Sequence, residues 1–266
     1  RTSPFAFTGN KFELRAVGAS AHCAPAMIVL NAAVAEAFHD FADAVEAALR
    51  AGKARQQALF ETMRAFFVES RPIRFDGNNY SPEWVAEAQR RGLPVLFSTP
   101  EALKAYIAPT SRQLFTRFHI LSQTELHARY EVRLERYVKA LRLELSTLQH
   151  LVRQYVLPAA FQYQATLAQT ALQVSQILSS NDTYPQKSLL QRIQTHIDTL
   201  HAGLEEAEEV ERLIEEASAV PVQAELCYER VRPLMARMRM ACDAIEQLLP
   251  AGATRLPSYA EMLFYL

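Results

Sequence analysis

The sequence predicts a mainly α protein: a helical bundle with long antiparallel helices, preceded by a short β segment. Strand signals are confined to residues 1–20. Beyond them apolar residues recur in steps of three and four, and the turn-forming stretches between these stripes are short. A chain of 266 residues can bury one large core or two smaller ones.

At the N-terminus, "SPFAFT" and "KFELRAV" flank Gly9-Asn10, which reads as a hairpin turn. From Pro25 the pattern turns helical. "AMIVLNAAVAEAFHDFADAVEAALRAG" is rich in Ala and Leu and ends on Gly52, suited to the residue just past a helix. A second helix is expected over about 53–69. A loop follows, then a short helix with Ser81 as N-cap, Pro82 at its first position and Glu83 at the positive end of the dipole. Gly92 and Pro94 end it. Thr99, Pro100 and Glu101 repeat the same device.

The longest helix is expected to start at Ser122, which forms a capping box with Glu125. Its stripe runs Leu126, Tyr130, Leu134, Tyr137, Leu141, Leu145, Leu148, Val152. Pro158 removes one helical hydrogen bond, so a kink is expected there, with the helix resuming to about Leu178. "SSNDTYP" reads as a turn. A second stripe follows through Leu189, Ile193, Ile197, Leu200, Leu204 and Ala207. Pro221 interrupts, and a third stripe returns through Cys227, Val231, Leu234, Met238, Ala241, Ile245 and Leu248. Long helices are thus expected over about 122–178, 186–219 and 221–249. The apolar tail "LPSYAEMLFYL" is expected to dock.

Apolar residues make up 50% and charged residues 21%, a globular balance. Net charge is −1, from 28 basic and 29 acidic residues, which supports neither nucleic acid nor an anionic membrane as partner. No apolar run reaches a membrane span, and no signal peptide is visible. Three cysteines without metal spacing suit a reducing, cytoplasmic setting. The chain begins at Arg1 rather than Met, directly in strand-like sequence, and the simplest expectation is that further sequence precedes it.

Chemistry-bearing residues are few. In a strand, Lys11, Glu13 and Arg15 share one face, with Phe12 and Leu14 on the other, toward a core. Such alternation is most often a solvated face of a half-buried sheet. The other reading is a mixed-charge site, where a carboxylate holds a divalent cation and flanking cations bind phosphate or carboxylate groups. Seven Glu between 205 and 216 form a solvated helix face, or a face that docks a basic partner. The seven scattered histidines make no catalytic constellation, and only 7 Gly are present, with no phosphate-binding glycine loop.

"RTSPFAFTGNKFELRAVGAS" resembles the end of the catalytic domain of type III glutamine synthetases. "NNYSPEWVAEAQRRGLP", "LSQTELHARYEVRLERYVKAL", "YVLPAAFQYQATLA" and "LPSYAEMLFYL" are similar to the C-terminal part of the same type. The resemblance divides the chain into the end of that catalytic domain (1–24), whose sheet would leave a short β remnant here, and a helical C-terminal region (25–266). It implies an enzyme that couples ATP hydrolysis to joining glutamate and ammonia through γ-glutamyl phosphate, with Mg²⁺ or Mn²⁺. It implies that Glu13 binds metal and that Arg15 binds substrate or the phosphoryl group in flight. Lys11 would meet nucleotide phosphate, without the bidentate fork of an Arg, and Arg1 would be an upstream phosphate-handling residue. Active sites in that family form between subunits of a ring, so a homo-oligomer is implied, and this chain alone is expected to be inactive. The rival reading is a non-catalytic helical interaction or assembly module.

Overall fold

A computed structural model describes residues 3–15, 18, 21–178, 184–257 and 259–264. The architecture is mainly helical with one small antiparallel hairpin, the class the sequence predicts. The chain divides into two compact units. The first holds residues up to 97 together with 104–128, and the second holds 98–103 together with everything from 129 on.

The first unit opens with strands β1 (Phe5–Phe7) and β2 (Phe12–Leu14), which pair antiparallel. Gly9 takes φ +103°, and the Thr8 N–H donates to the Lys11 carbonyl at 2.8 Å. A glycine at the first of two turn residues is what a II′ hairpin requires. Two helices follow, α1 (Ala24–Arg50) and α2 (Arg55–Glu69), packed side by side. Gly52, with φ +85°, closes α1 as the sequence suggested. After a short 3₁₀ turn at Arg71–Ile73 comes α3 (Pro82–Arg90), where the Trp84 N–H donates to Ser81 Oγ at 3.4 Å. Helix α5 (Pro109–Arg117) returns to α1, so that Ala32, Phe115 and Leu126 form a small buried cluster.

The short helix α4 (Thr99–Leu103) belongs to the second unit. It is capped one residue earlier than expected, because the Glu101 N–H donates to Ser98 Oγ rather than to Thr99. Helix α6 (Gln123–Leu151) begins with the expected capping box: Ser122 N–H to Glu125 Oε2 at 2.8 Å, and Glu125 N–H to Ser122 Oγ at 3.2 Å. Winding then passes through a π turn at Val152–Val156 into α7 (Leu157–Ile177). Pro158 therefore does not end the helix. The Leu157 N–H reaches back five residues to the Val152 carbonyl, which widens the turn where the proline ring would crowd the helix. The same device recurs unforeseen before Pro233: α9 (Val220–Leu226) runs through a π turn at Cys227–Val231 into α10 (Arg232–Leu248). Pro221 falls at the expected interruption: the preceding helix ends at Glu216, and Pro221 sits in the first turn of α9, where a missing N–H costs nothing.

Helix α8 (Tyr184–Glu216) packs against both α7 and α10. Its direction follows from its cross-links. Arg142 reaches Glu211 and Glu215, Arg153 reaches Glu208, and Gln164 reaches Gln194. Rising numbers on α6–α7 meet falling numbers on α8, so the two run antiparallel. Leu134, Leu145, Ile193, Leu200, Ile214, Leu234, Met238 and Ile245 are fully buried and make this unit's core. Most of the "SSNDTYP" turn lies outside the described residues. In the tail, α11 (Tyr259–Leu263) does not dock as expected: Leu263 and Phe264 are each 78% exposed, because no described element of this chain covers them.

Gly203 of α8 stands where a Cβ would lie 2.7 Å from Met238 Cγ. Alanine gains up to about 1 kcal/mol of helix propensity. Overpacking costs about 1–3 kcal/mol, and Met238 is fully buried with little room to yield. Gly203→Ala is expected to lower the unfolding free energy by about 1 kcal/mol in urea titrations. A gain in stability would show that α8 and α10 are less tightly apposed.

Candidate functional site

The hairpin sorts its side chains cleanly. Phe5 pairs with Leu14, Ala6 with Glu13, and Phe7 with Phe12. One face is therefore apolar, and the other carries Lys11, Glu13 and Arg15. The strand period of two makes this unavoidable once the register is set. Arg15 Nη2 donates to Glu13 Oε2 at 3.0 Å, and Lys11 Nζ lies 3.4 Å from Glu13 Oε1. Arg15 also donates to the Ser3 carbonyl at 3.3 Å, which pins its guanidinium to the opposite strand. These bonds, that from Arg15 first and then that from Lys11, hold the Glu13 carboxyl below the usual carboxylate range. Glu13 is thus an ionised oxygen donor flanked by two cations, fit to be one ligand of a divalent ion. Among the described residues no group of three His, Cys, Asp or Glu gathers to hold a metal. Arg1 lies outside the described residues.

The apolar face of the hairpin departs from expectation. Phe12 and Leu14 do not enter a core; Phe7 and Phe12 are each 63% exposed and lean on one another, ring centroids 5.1 Å apart. A two-stranded ribbon has no second layer of its own to cover this face.

Other candidates resolve into structure. Burial pushes the Cys227 and Cys242 thiols up to about 11, which keeps them protonated and unreactive. The acidic stretch of α8 is largely the solvated face expected, with Glu205, Glu208, Glu209, Glu215 and Glu216 exposed, and several of its carboxylates are also paired. Glu206 pairs with Arg237, Glu208 with Arg153, and Glu211 and Glu215 with Arg142, so it ties α8 to its neighbours.

One cluster escaped the sequence reading. The end of α2, the 3₁₀ turn and the end of α3 form an open surface groove of about 560 Å³ lined by Val68, Arg71, Pro72, Arg74, Arg90 and Arg91. Arg91 donates to Glu87 at 2.5 Å and to the carbonyls of Pro72 and Arg74 at 3.1 and 2.9 Å. Arg90 grips Glu87 with two bonds of 2.7 Å. Those two arginines, Arg90 first, push the Glu87 carboxyl down to about 2. Arg74 lies 3.8 Å over the Phe67 ring. The signal was present in "RPIR" and "QRR", but it has no periodicity, and only the fold brings the two stretches together.

A family described as "Glutamine synthetase C-terminal domain" matches residues 58–175, which include the arginine cluster but not the hairpin. Along nearly its whole length the chain is similar to three curated proteins. It is 34% identical to the glutamine synthetase of Bacteroides fragilis (strain YCH46), over 99% of this chain and 37% of that protein. It is 31% identical to the type-3 glutamine synthetase of Dictyostelium discoideum, over 99% of this chain and 36% of that protein. It is 30% identical to the glutamine synthetase of Butyrivibrio fibrisolvens, over 100% of this chain and 38% of that protein. The chain spans little more than a third of the length of these relatives. Residues 58–175 thus match the glutamine synthetase C-terminal domain family, and along nearly its whole length the chain is similar to part of three glutamine synthetases, one of them of type 3.

Proposed function

We propose that the chain is the C-terminal part of an ATP-dependent glutamate–ammonia ligase that makes glutamine through γ-glutamyl phosphate. The observation that carries this reading is the Glu13 carboxylate held ionised between Lys11 and Arg15, in a chain similar end to end to glutamine synthetases. Transfer of a phosphoryl group asks for cations around a polyanion more than for covalent help. Glu13 would be one oxygen ligand of Mg²⁺ or Mn²⁺, which when bound neutralises phosphate charge. Lys11 would meet nucleotide phosphate as a point charge. Arg15, already oriented by Ser3 and Glu13, would turn its planar fork to the glutamate carboxylate or the phosphoryl group. Arg1 would add a further phosphate-handling cation. The remaining ligands and the ammonia site would come from sequence outside this chain and from a neighbouring subunit of a homo-oligomeric ring, in the cytoplasm.

The isolated chain is accordingly expected to be folded and helical by circular dichroism, to form no glutamine, and to bind ATP more weakly than micromolar. Micromolar ATP binding by this chain alone would contradict the reading.

The second reading, a helical assembly module, is favoured by one observation: the family match lies within the helices. In the first unit Phe38, Phe60 and Met63 are 72%, 67% and 60% exposed, apolar surface suited to subunit contact. In the intact enzyme the two roles would coexist, with helices that assemble and a hairpin that completes a pocket.

A further inference from the structure

We propose that the arginine-lined groove between the ends of α2 and α3 binds a small polyanion carrying phosphate groups. Its lining of Arg71, Arg74, Arg90 and Arg91 contains no carboxylate. Glu87 bonds two of these arginines from outside the lining, which leaves a surplus of three positive charges. In a chain whose acids and bases otherwise balance, that concentration is not a by-product of composition.

The groups are also oriented before any ligand arrives. Arg91 is fixed by Glu87 and two backbone carbonyls and rests beside the Phe75 and Trp84 rings at 5.5 and 5.6 Å. Arg74 is held by the Phe67 ring and carbonyl. Arg71, by contrast, makes no side-chain hydrogen bond or ion pair with any described residue, so its full fork is available. A guanidinium carries five N–H donors, and the bonds named here use only part of each set. Planar forks fit phosphate and carboxylate oxygens alike. Three surplus charges match a di- or triphosphate better than a dicarboxylate. The groove, about 560 Å³ and open to solvent, has room for a ligand the size of a small metabolite. The depressed Glu87 carboxyl reports the same positive field.

The site stands apart from the hairpin and does not depend on the ligase reading. The test is calorimetric titration of the whole chain with inorganic triphosphate, pyrophosphate and citrate at low ionic strength. Triphosphate is expected to bind with Kd of about 1 mM or tighter, ahead of citrate, and to weaken as salt is raised. Arg71→Ala combined with Arg90→Ala should weaken binding at least tenfold with an unchanged circular dichroism spectrum, since both side chains are exposed and neither holds the fold. Lys139→Ala with Arg212→Ala, two exposed cations of the second unit, should leave it unchanged. The proposal is overturned by absence of binding at several millimolar, by equal affinity in the Arg71/Arg90 variant, by loss in the Lys139/Arg212 variant, or by citrate binding more tightly than triphosphate.

Discussion

Glu13→Ala in the full-length protein is expected to lower the turnover of ATP-dependent glutamine formation by about 10²–10³-fold, the scale on which loss of one electrostatic anchor is felt. The substitution does more than delete a ligand. Lys11 and Arg15 would lose the carboxylate between them and become two adjacent unpaired cations, repelling the ion that Glu13 is proposed to hold. Glu13→Gln keeps the size and removes the charge, so it should fall nearly as far. Both variants should need more Mg²⁺ or Mn²⁺ for half-maximal rate. Near-normal turnover with unchanged metal dependence would remove Glu13 from the site. The ionic pairing also has a pH signature. Because the folded-state carboxyl is held below its ordinary value, the pairing is complete above the usual carboxylate range and is lost only as pH falls through the depressed value. Glu13 therefore should add no acid limb to a rate profile near neutrality.

Leu200→Ala is expected to destabilise the second unit by about 2–5 kcal/mol, the range for deleting a buried leucine without collapse of the cavity. Leu200 is fully buried on α8, which packs on both α7 and α10, so no single neighbour can move in to fill the void. Urea unfolding should show a lower midpoint with an unchanged slope. A loss below 1 kcal/mol would mean that the α7–α8–α10 packing relaxes far more readily than its burial implies.

The helices were legible where local chemistry decides them. Ser122 with Glu125, Ser81 before Pro82, and the stripe from Leu126 to Val152 each rest on neighbours within one or two turns. Ser98 was mistaken for Thr99 because either hydroxyl can cap, and one residue of offset depends on how the preceding chain arrives. Pro158 was expected to kink its helix, and Pro233 gave no separate signal. Whether a helix breaks or widens into a π turn is decided by the packing around it, here by the buried Val152, Val156, Cys227 and Val231. The apolar tail and the Phe12 face misled in the other direction, since an apolar pattern states a need for cover without naming what supplies it. At the candidate site, the strand period alone brings Lys11, Glu13 and Arg15 together. What that face fronts is set by atoms outside the chain. The arginine groove left no pattern to read, because residues 71–74 and 90–91 meet only through the turn between α2 and α3.

The most direct measurement is anomalous diffraction from Mn²⁺ in the full-length protein, crystallised with a non-hydrolysable ATP analogue. A manganese peak within ordinary metal–oxygen bonding distance of the Glu13 carboxylate, roughly 2.0–2.6 Å, with Lys11 and Arg15 turned to the phosphates, is the predicted result. Those three side chains facing solvent in the assembled protein, with the metal and triphosphate bound elsewhere, would contradict it.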